Sequence, residues 1–365
     1  MNVLHLVEYL NLGGIERLLE QMAVNTVSER AKLSFFTYET KTLSGIGKSM
    51  AKLGIPVTIY KKKSGYDLKL VSTLIDFIKE NKIDVIHTHD FGPMEYAVAL
   101  KCRFPNLKFI HTQHTLVHFL SKSKYKLFFQ FASFFYTRLI VVSNFVKDTL
   151  EIECKFMNKK IVQVIPNGVD TRKFIPQEFI QNNKTKTLEK IKLVSVARIS
   201  PVKNIEYLLQ TCVLLKNAGI PFEFHHAGTG KDTQSLNEVT DFIVKNNLQS
   251  DVTLHGYCDD ASRILSLGDI FVSASKSEGH PVAVLEAMSC GKFCLVSDIA
   301  PHREMAHDLL NFFDINSDVD LFTKLQDIYL NKVDLSLSST QSRQIVQDHY
   351  SLTKMVDNYV EQYRN

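Results

Sequence analysis

Short runs of apolar and β-branched residues recur along the first part of the chain, and each run is followed by a polar turn and an amphipathic stretch. The runs are VLHLVE, LSFFTY, VTIY, DVIHTH, KFIHTQH, LIVVS and VQVIP. Nearly continuous apolar strands that alternate with helical periodicity are typical of βαβ units, in which helices cover both faces of a parallel sheet. The pattern predicts a doubly wound α/β domain.

The same alternation restarts beyond a polar, Asn/Lys/Gln-rich segment between Lys173 and Lys190, with the runs KLVSVA, FEFHHAG, VTLHGY, DIFVSA and KFCLVSD. A chain of 365 residues also exceeds what one hydrophobic core usually supports. We therefore predict two Rossmann-like domains, 1–172 and 173–345, and a C-terminal helix at about 346–365 that packs back on the first. Ligands bind such sheets at the carboxyl ends of the strands.

The charge is divided unevenly between the two halves. Residues 1–165 hold 23 Lys and Arg against 14 Asp and Glu, a net charge of +9, whereas the remainder holds 20 against 25, a net charge of −5. A basic half indicates an anionic partner. Because no basic-aromatic module typical of nucleic-acid-binding proteins accompanies it, we expect no nucleic acid among the partners.

The expected location is the cytoplasm. The first residues lack the basic region and cleavage site of a signal peptide, so we expect the mature chain to start at Met1. Six cysteines without a CxxC pair fit reduced thiols better than a disulfide framework. The most apolar stretch, Leu127 to Val146, is interrupted by Gln130 and Arg138, so a membrane-spanning helix is not predicted.

A basic and aromatic stretch lies between Ser121 and Arg138. Three lysines precede five apolar residues at helical spacing, namely Lys122, Lys124, Lys126, Leu127, Phe128, Phe131, Phe134 and Phe135. Such a helix could rest on an anionic membrane surface and meet a lipid-linked acceptor there. Alternatively, it is a core helix of the first domain with a basic lead-in.

A carboxylate pair brackets the start of a predicted apolar helix in Ser277-Glu-Gly-His-Pro-Val-Ala-Val-Leu-Glu-Ala-Met288. Pro281 suits the first helical position, where a missing amide hydrogen has no consequence, and Gly291 suits the end. Glu286 is the only charged residue within that helix, so it requires a hydrogen-bond donor, which a ribose diol or the protein itself could supply. Free amides at the helix start favour a diphosphate or a sugar near Glu278.

Two further groups of residues follow predicted strands. Arg198 ends a strand and Lys203 opens the next helix, so the two cations could hold a diphosphate and stabilise it as a leaving group without a metal. They could equally be exposed surface charges. Gly13 and Gly14 would let the backbone approach a ligand at the first strand-to-helix turn, or form only a tight turn.

The histidines of the first domain allow a different chemistry. His87 and His89 share one face of a strand and Asp90 follows them, and imidazole with carboxylate suits zinc. This arrangement predicts a metal-dependent hydrolase as an alternative function. It leaves the Arg198, Lys203 and carboxylate motifs unexplained. The plainer alternative is that these histidines only form hydrogen bonds at a strand end.

Together the motifs resemble glycosyltransferase family 4. The family's E-x7-E motif followed by A-M is similar to Glu278, Glu286, Ala287 and Met288, and its Arg-x4-Lys pair is similar to Arg198 and Lys203. Gly13 to Arg17 resembles the family's glycine-rich loop, and Ile165 to Asp170 resembles the turn that ends its first domain. The resemblance implies a GT-B architecture, with two Rossmann-like domains facing a central cleft.

The resemblance also implies the site. His114 would face the transferred sugar, although Thr115 stands where the family often has an acidic residue. The implied catalytic residues are His114, Arg198, Lys203 and Glu278. The implied donor-binding residues are Gly13, Gly14, Arg198, Lys203, Gly228, Gly256, Tyr257, Glu278, Gly279, His280, Pro281, Val282 and Glu286. The implied acceptor-side residues are Glu16, His89 and His114, and Glu304 matches a further family position.

The activity implied by the resemblance is retaining transfer of a sugar from a nucleoside diphosphate, UDP or GDP, to a hydroxyl of a glycan or lipid-linked acceptor. Such reactions build cell-surface polysaccharide, lipopolysaccharide and glycolipid. No metal or other cofactor is expected, because the nucleotide-sugar is a substrate. Peripheral contact of the basic domain with the inner face of the cytoplasmic membrane is expected as well. The alternative within the same fold is a nucleotide-sugar epimerase, which would turn over without an acceptor.

Overall fold

The computed structural model describes residues 1–10, 13–26, 30–38, 45–115, 120–176, 189–230, 233–306, 309–333 and 335–364. The chain divides into two compact units, Met1–Gly168 with Leu352–Asn365 and Val169–Ser351. The division falls after Gly168, four residues before the expected boundary, and the final helix belongs to the first unit. No helix in the described ranges is long and apolar enough to cross a bilayer. All six cysteines lie in those ranges and are free thiols.

The first unit contains a seven-stranded parallel sheet in the order β3-β2-β1-β4-β5-β6-β7. Its strands are β1 (Asn2–Val7), β2 (Lys32–Tyr38), β3 (Val57–Tyr60), β4 (Val85–His89), β5 (Lys108–Gln113), β6 (Arg138–Val141) and β7 (Val162–Val164). Its first helices are α1 (Gly14–Asn25), α2 (Gly45–Lys52), α3 (Leu68–Glu80), α4 (Phe91–Arg103), α5 (Ser123–Ala132) and α6 (Asn144–Glu153). The β1 residues from Val3 onward are buried, because helices cover the sheet.

The second unit contains a six-stranded parallel sheet in the order β10-β9-β8-β11-β12-β13. Its strands are β8 (Ile191–Val196), β9 (Phe222–Ala227), β10 (Val252–Leu254), β11 (Ile270–Ser273), β12 (Phe293–Ser297) and β13 (Asn311–Phe313). Its helices are α7 (Ile205–Asn217), α8 (Thr233–Lys245), α9 (Ala261–Leu265), α10 (Val282–Ser289), α11 (Ala300–Ala306), α12 (Asp320–Tyr329) and α13 (Ser336–His349).

The last helix, α14 (Leu352–Arg364), completes the core of the first unit. Its apolar residues recur every three or four positions, which places them on one face of the helix. They are Leu352, Met355, Val356, Tyr359, Val360 and Tyr363. They pack against the strand residues Val3, Val85, Ile110 and Ile140. The helix therefore covers the middle of the seven-stranded sheet.

Both sheets reverse their strand order at one point, between β1 and β4 in the first unit and between β8 and β11 in the second. In open parallel sheets, ligands bind in the crevice outside the carboxyl ends of the strands at such a reversal. The loops after β1, β4, β8 and β11 are therefore the places where functional side chains are expected.

Candidate active site

The reversal point of the second unit holds an ion pair. Lys203 lies in the loop after β8 and Glu278 in the loop after β11, and Lys203 Nζ donates a hydrogen bond to Glu278 Oε1. The backbone of Lys276 donates to the carbonyl of Val202 at 2.8 Å, which joins the two loops. The Glu278 side chain is only 11% exposed. A cation and a carboxylate from separate sequence motifs therefore meet at the predicted site.

Arg198 lies in the same loop as Lys203, two residues after the end of β8. Its side chain is exposed, and among the described residues it has no hydrogen bond or ion pair. Gly228, after β9, has φ +145°, and a Cβ there would lie 1.7 Å from the carbonyl oxygen of Ala197. Because Gly228 has no Cβ, the turn after β9 can pack directly against the backbone of Ala197 and Arg198. The Gly228 amide also donates to the Gly256 carbonyl at 2.8 Å, which brings Gly256 and its exposed neighbour Tyr257 to the same edge.

Helix α10 lies behind Glu278 and carries Glu286. The helix begins at Val282, so the placement of Pro281 at the first helical position is wrong: Pro281 is the residue before it, with φ −75° and ψ 100°. Gly291 has φ +65°, the left-handed conformation that commonly follows a helix end. Glu286 is 9% exposed among buried neighbours, as its isolation in an apolar helix predicted.

His280 belongs to the same loop but is buried beneath it. Its ring centroid lies 5.3 Å from that of Tyr350. Burial lowers the pKa of His280 to about 4, so the ring is neutral at physiological pH. The His280 side chain therefore lies inside the second unit, under the loop that carries Glu278 and Gly279.

The reversal point of the first unit brings Gly13, Gly14, His89 and His114 to one edge of the sheet. Gly13 precedes α1 and Gly14 begins it. A Cβ on Gly14 would meet nothing within 4 Å, whereas a Cβ on Gly13 would overlap the carboxylate of Glu16, with Oε2 at 2.2 Å. Because packing does not require a glycine at position 14, the open backbone there is a feature that a ligand could use.

His114 follows β5 and is held at two places. Its backbone amide donates to Asp90 Oδ1 at 3.1 Å, and its Nε2 lies 3.2 Å from Nδ1 of His89. Burial lowers the pKa of His114 to about 4 and raises the pKa of Asp90 to about 6. His114 Nδ1 is buried and has no hydrogen-bond partner in the described part of the chain.

Two family models cover most of the chain. The Glycosyltransferase Family 4 model matches residues 12–173, and the Glycosyl transferases group 1 model matches residues 176–343. The chain is a family 4 glycosyltransferase. The predicted family and enzyme class are thereby confirmed.

Individual relatives and solved structures agree with this. The chain is 28% identical over 367 residues to the UDP-Gal:alpha-D-GlcNAc-diphosphoundecaprenol alpha-1,3-galactosyltransferase of Escherichia coli, covering 95% of this chain and 92% of that protein. It is 21% identical over 360 residues to the phosphatidylinositol N-acetylglucosaminyltransferase GPI3 subunit of Saccharomyces cerevisiae, covering 96% of this chain and 78% of that protein. The structure of Anabaena HepE in complex with UDP and glucose matches with a TM-score of 0.81 at 14% identity, covering 100% of this chain and 99% of that one. The fold is GT-B, as predicted.

The glycosyltransferase does not assemble the alternative metal site predicted from His87, His89 and Asp90. The described residues whose ligand atoms lie within 4.8 Å of one another are His5, His87 and His89, and Asp90 is not among them. The Asp90 carboxylate instead accepts hydrogen bonds from Gln113 Nε2 and the His114 amide. The predicted grouping of His87, His89 and Asp90 is therefore not formed, because the Asp90 carboxylate is hydrogen-bonded at the end of the next strand, and the hydrolase alternative is not favoured.

One residue of the second unit was missed by the sequence analysis. His302 follows β12 and is fully buried, and its Nδ1 donates to the Ser297 carbonyl at 2.7 Å. Burial lowers the pKa of His302. The nearby charge of Glu278 raises this pKa, and that of Lys203 lowers it. Nε2 has no partner among the described residues. The sequence signal for His302 is its position soon after a strand, in Pro301-His-Arg-Glu304.

Proposed function

We propose that the glycosyltransferase moves a hexose from a UDP-sugar to a hydroxyl of a glycan carried on a lipid diphosphate, with retention at the anomeric carbon. The observation that carries the donor site is the ion pair of Lys203 with Glu278 at the strand-order reversal of the second unit, with Arg198 exposed in the same loop as Lys203. The Escherichia coli relative named above uses UDP-Gal and a lipid-diphosphate-linked GlcNAc. The HepE structure holds UDP and glucose. Both support UDP over GDP, and the first supports a lipid-linked acceptor.

The departing UDP develops negative charge on its β-phosphate. Arg198 is exposed in the loop after β8 with a guanidinium able to bind two phosphate oxygens, and Lys203 adds a point charge. Cations of this kind stabilise the charge that develops on the leaving group. In the proposal Arg198 and Lys203 stabilise the leaving diphosphate as a divalent metal would, so no cofactor is required.

Glu278 and Glu286 bind different parts of the rest of the donor. Glu278 is paired with Lys203 and accepts hydrogen bonds from hydroxyls of the transferred sugar, since an ionised carboxylate offers acceptors only. Glu286 lies deeper, on α10, and accepts from the ribose diol. Gly228, Gly256 and Tyr257 form the edge against which the base would lie. The acceptor hydroxyl attacks from the face that UDP leaves, through an oxocarbenium-like state, and its proton passes to the departing phosphate oxygen, so that no protein nucleophile is needed.

An exposed apolar surface on the first unit supports peripheral membrane contact. Helix α5 buries Phe129 and Ala132 but exposes Leu127 and Phe131. The exposed apolar side chains of this region are Leu127, Phe131, Phe134, Ile152 and Phe156. The Phe156 amide donates to Gln130 Oε1 at 2.7 Å, and Lys126 pairs with Glu153, so the α5 and α6 contributions form one patch. Exposed lysines precede the patch, and the +9 charge of residues 1–165 complements anionic lipid.

The donor site is tested by thermal shift with UDP, GDP and UDP-hexoses, with and without a chelator. UDP is expected to stabilise the wild type equally in both, and Arg198→Ala and Lys203→Ala should each weaken binding by about tenfold, as for a lost charged hydrogen bond. Lys216→Ala is the matched control, because this lysine pairs with Asp251 away from the site. No stabilisation by any nucleotide, or an unchanged response in the Arg198 variant, would refute the assignment.

The membrane surface is tested by co-sedimentation with vesicles that contain anionic phospholipid. Phe131→Ser with Phe134→Ser should lower the bound fraction several-fold, whereas Val244→Ser, an exposed apolar residue on α8 of the second unit, should not. Binding that is insensitive to the phenylalanines, or equal on neutral vesicles, would contradict the proposal.

A further inference from the structure

The end of α10, the helix that carries Glu286, is held by an arginine from another helix. The last four carbonyls of a helix have no partner within it and must find donors elsewhere. Three of those in α10 accept from the next backbone amides at 3.0 Å, namely the carbonyls of Glu286, Ala287 and Met288 from the amides of Cys290, Lys292 and Gly291, respectively. The fourth carbonyl, that of Ser289, accepts from Nη1 of Arg343 on α13. Arg343 therefore completes the hydrogen bonding of this helix end.

The same guanidinium binds the segment by which the chain enters the second unit, residues 169–174, which we name the entry segment. Arg343 Nη1 donates to the Phe174 carbonyl at 2.8 Å, and Nη2 donates to the Thr171 carbonyl at 3.1 Å. The Ser289 hydroxyl also donates to the Phe174 carbonyl, at 2.7 Å. Arg343 thus joins three elements of the second unit: the entry segment, α10 and α13.

This junction is buried, so its carbonyls depend on Arg343. Ser289 is fully buried, and Phe174 is 2% exposed within an apolar cluster that includes Val284 of α10 and Val346 of α13. A buried carbonyl that loses its donor is costly, because water cannot replace the lost bond. A planar guanidinium presents its donors in a fixed fork and reaches carbonyls on two elements at once, whereas a lysine ammonium is a point charge on a flexible stem. Lysine is therefore not equivalent to arginine at this position.

The position of the Glu286 carboxylate depends on this junction. Ser289 follows Glu286 by three residues, so the two are neighbours in the last turn of α10. Apolar contacts hold the helix without regard to direction. Hydrogen bonds require a defined distance and angle, so the bonds of Arg343 determine how α10 is rotated and how far it extends along its axis.

We propose that Arg343 is a positioning residue for Glu286. By holding the end of α10 against the entry segment, it places the carboxylate where both hydroxyls of a ribose diol can donate to it. Arg343 thereby determines the preference of the donor site for a ribonucleotide over a 2′-deoxyribonucleotide. The contact of Glu286 with the ribose rests on the proposed function, whereas the attachment of α10 to the entry segment does not.

The test compares UDP with 2′-deoxy-UDP by isothermal titration calorimetry on the full-length protein. The wild type should bind UDP about tenfold more tightly, the effect of one hydrogen bond to a charged group. Arg343→Lys should reduce this ratio to about two, mainly by weakening UDP, because 2′-deoxy-UDP has already lost one of the two hydroxyls. Arg343→Met, which keeps the apolar stem, should act in the same way. Arg172→Lys is the matched control, since this arginine of the entry segment has a side chain that is 76% exposed.

The outcomes separate this inference from the proposed function. Far-UV circular dichroism establishes that each variant is folded. If Glu286→Ala abolishes the preference for UDP but both Arg343 variants keep it, the positioning role of Arg343 is overturned and the ribose contact stands. An equal loss of affinity for both nucleotides in the Arg343 variants also overturns it, because that result shows a general structural role. If Glu286→Ala keeps the preference, the ribose contact itself is refuted, and the positioning role with it.

Discussion

Mild acid is expected to destabilise the first unit before any carboxylate of ordinary pKa is protonated. This unit buries His5, His87, His89, His111 and His114, and burial lowers the pKa of each. A histidine whose folded pKa is depressed stays neutral in the folded chain and takes up a proton on unfolding below its ordinary pKa of 6.5. The unfolded state therefore binds more protons, and the free energy of unfolding falls as the pH falls.

The size of this loss follows from the shifts. Between about pH 7.5 and about pH 5.5, each such histidine lowers the free energy of unfolding by between about 1 and 2 kcal/mol, so five lower it by roughly 7 kcal/mol. Asp90 acts in the opposite sense, because burial raises its folded pKa to about 6, and it offsets about 1 kcal/mol of this loss over the same interval. The net loss of about 6 kcal/mol is comparable with the whole stability of a typical domain, about 5–15 kcal/mol.

The assay is urea unfolding followed by far-UV circular dichroism at several pH values, since the chain has no tryptophan to report by fluorescence. The slope of stability against pH gives the number of protons taken up. His111→Gln should reduce that number by about one. A first-unit transition that keeps the same midpoint from about pH 7.5 to about pH 5.5 would refute the reasoning about buried neutral histidines.

Three glycine substitutions give further predictions. Gly228→Ala should destabilise the second unit by about 3 kcal/mol or more, because its Cβ would overlap the Ala197 carbonyl, whereas Gly256→Ala, at φ +64° in open space, should cost about 1 kcal/mol in urea unfolding. Equal costs would contradict the close approach. Gly14→Ala should leave the melting temperature unchanged, since its Cβ meets nothing within 4 Å, but raise a substrate KM. An unchanged KM would show that no ligand approaches this turn.

The features of the fold that the sequence could predict are those that depend on residues close together along the chain. The apolar runs predicted two doubly wound parallel sheets, because strand periodicity is local. The Arg198, Lys203 and Glu278 motifs could be placed at one sheet edge, because parallel strands end together. The Lys203–Glu278 pair itself was not predictable, since it joins residues 75 positions apart.

Long-range contacts account for the other differences. Sequence spacing placed Asp90 with His87 and His89, but Asp90 has φ +55° and turns its carboxylate to the Gln113 side chain and the His114 amide. Nothing in the local pattern links His5 or His87 to Tyr363, because those contacts form only when α14 packs on the sheet. The position of a histidine inside a strand therefore gave no indication of its hydrogen-bond partners.

The position of α14 also has a consequence for synthesis on the ribosome. The helix that covers Val3, Val85 and Ile110 is separated from the rest of its unit by Val169–Ser351. At about 5–20 residues per second, that interval takes roughly 10 to 40 s to translate. Throughout this time an apolar sheet face and the strand residues His5 and His87 lack the cover that α14 provides. The nascent chain is thus a substrate for chaperones that bind apolar strands, and its first unit becomes native only after the second has been made.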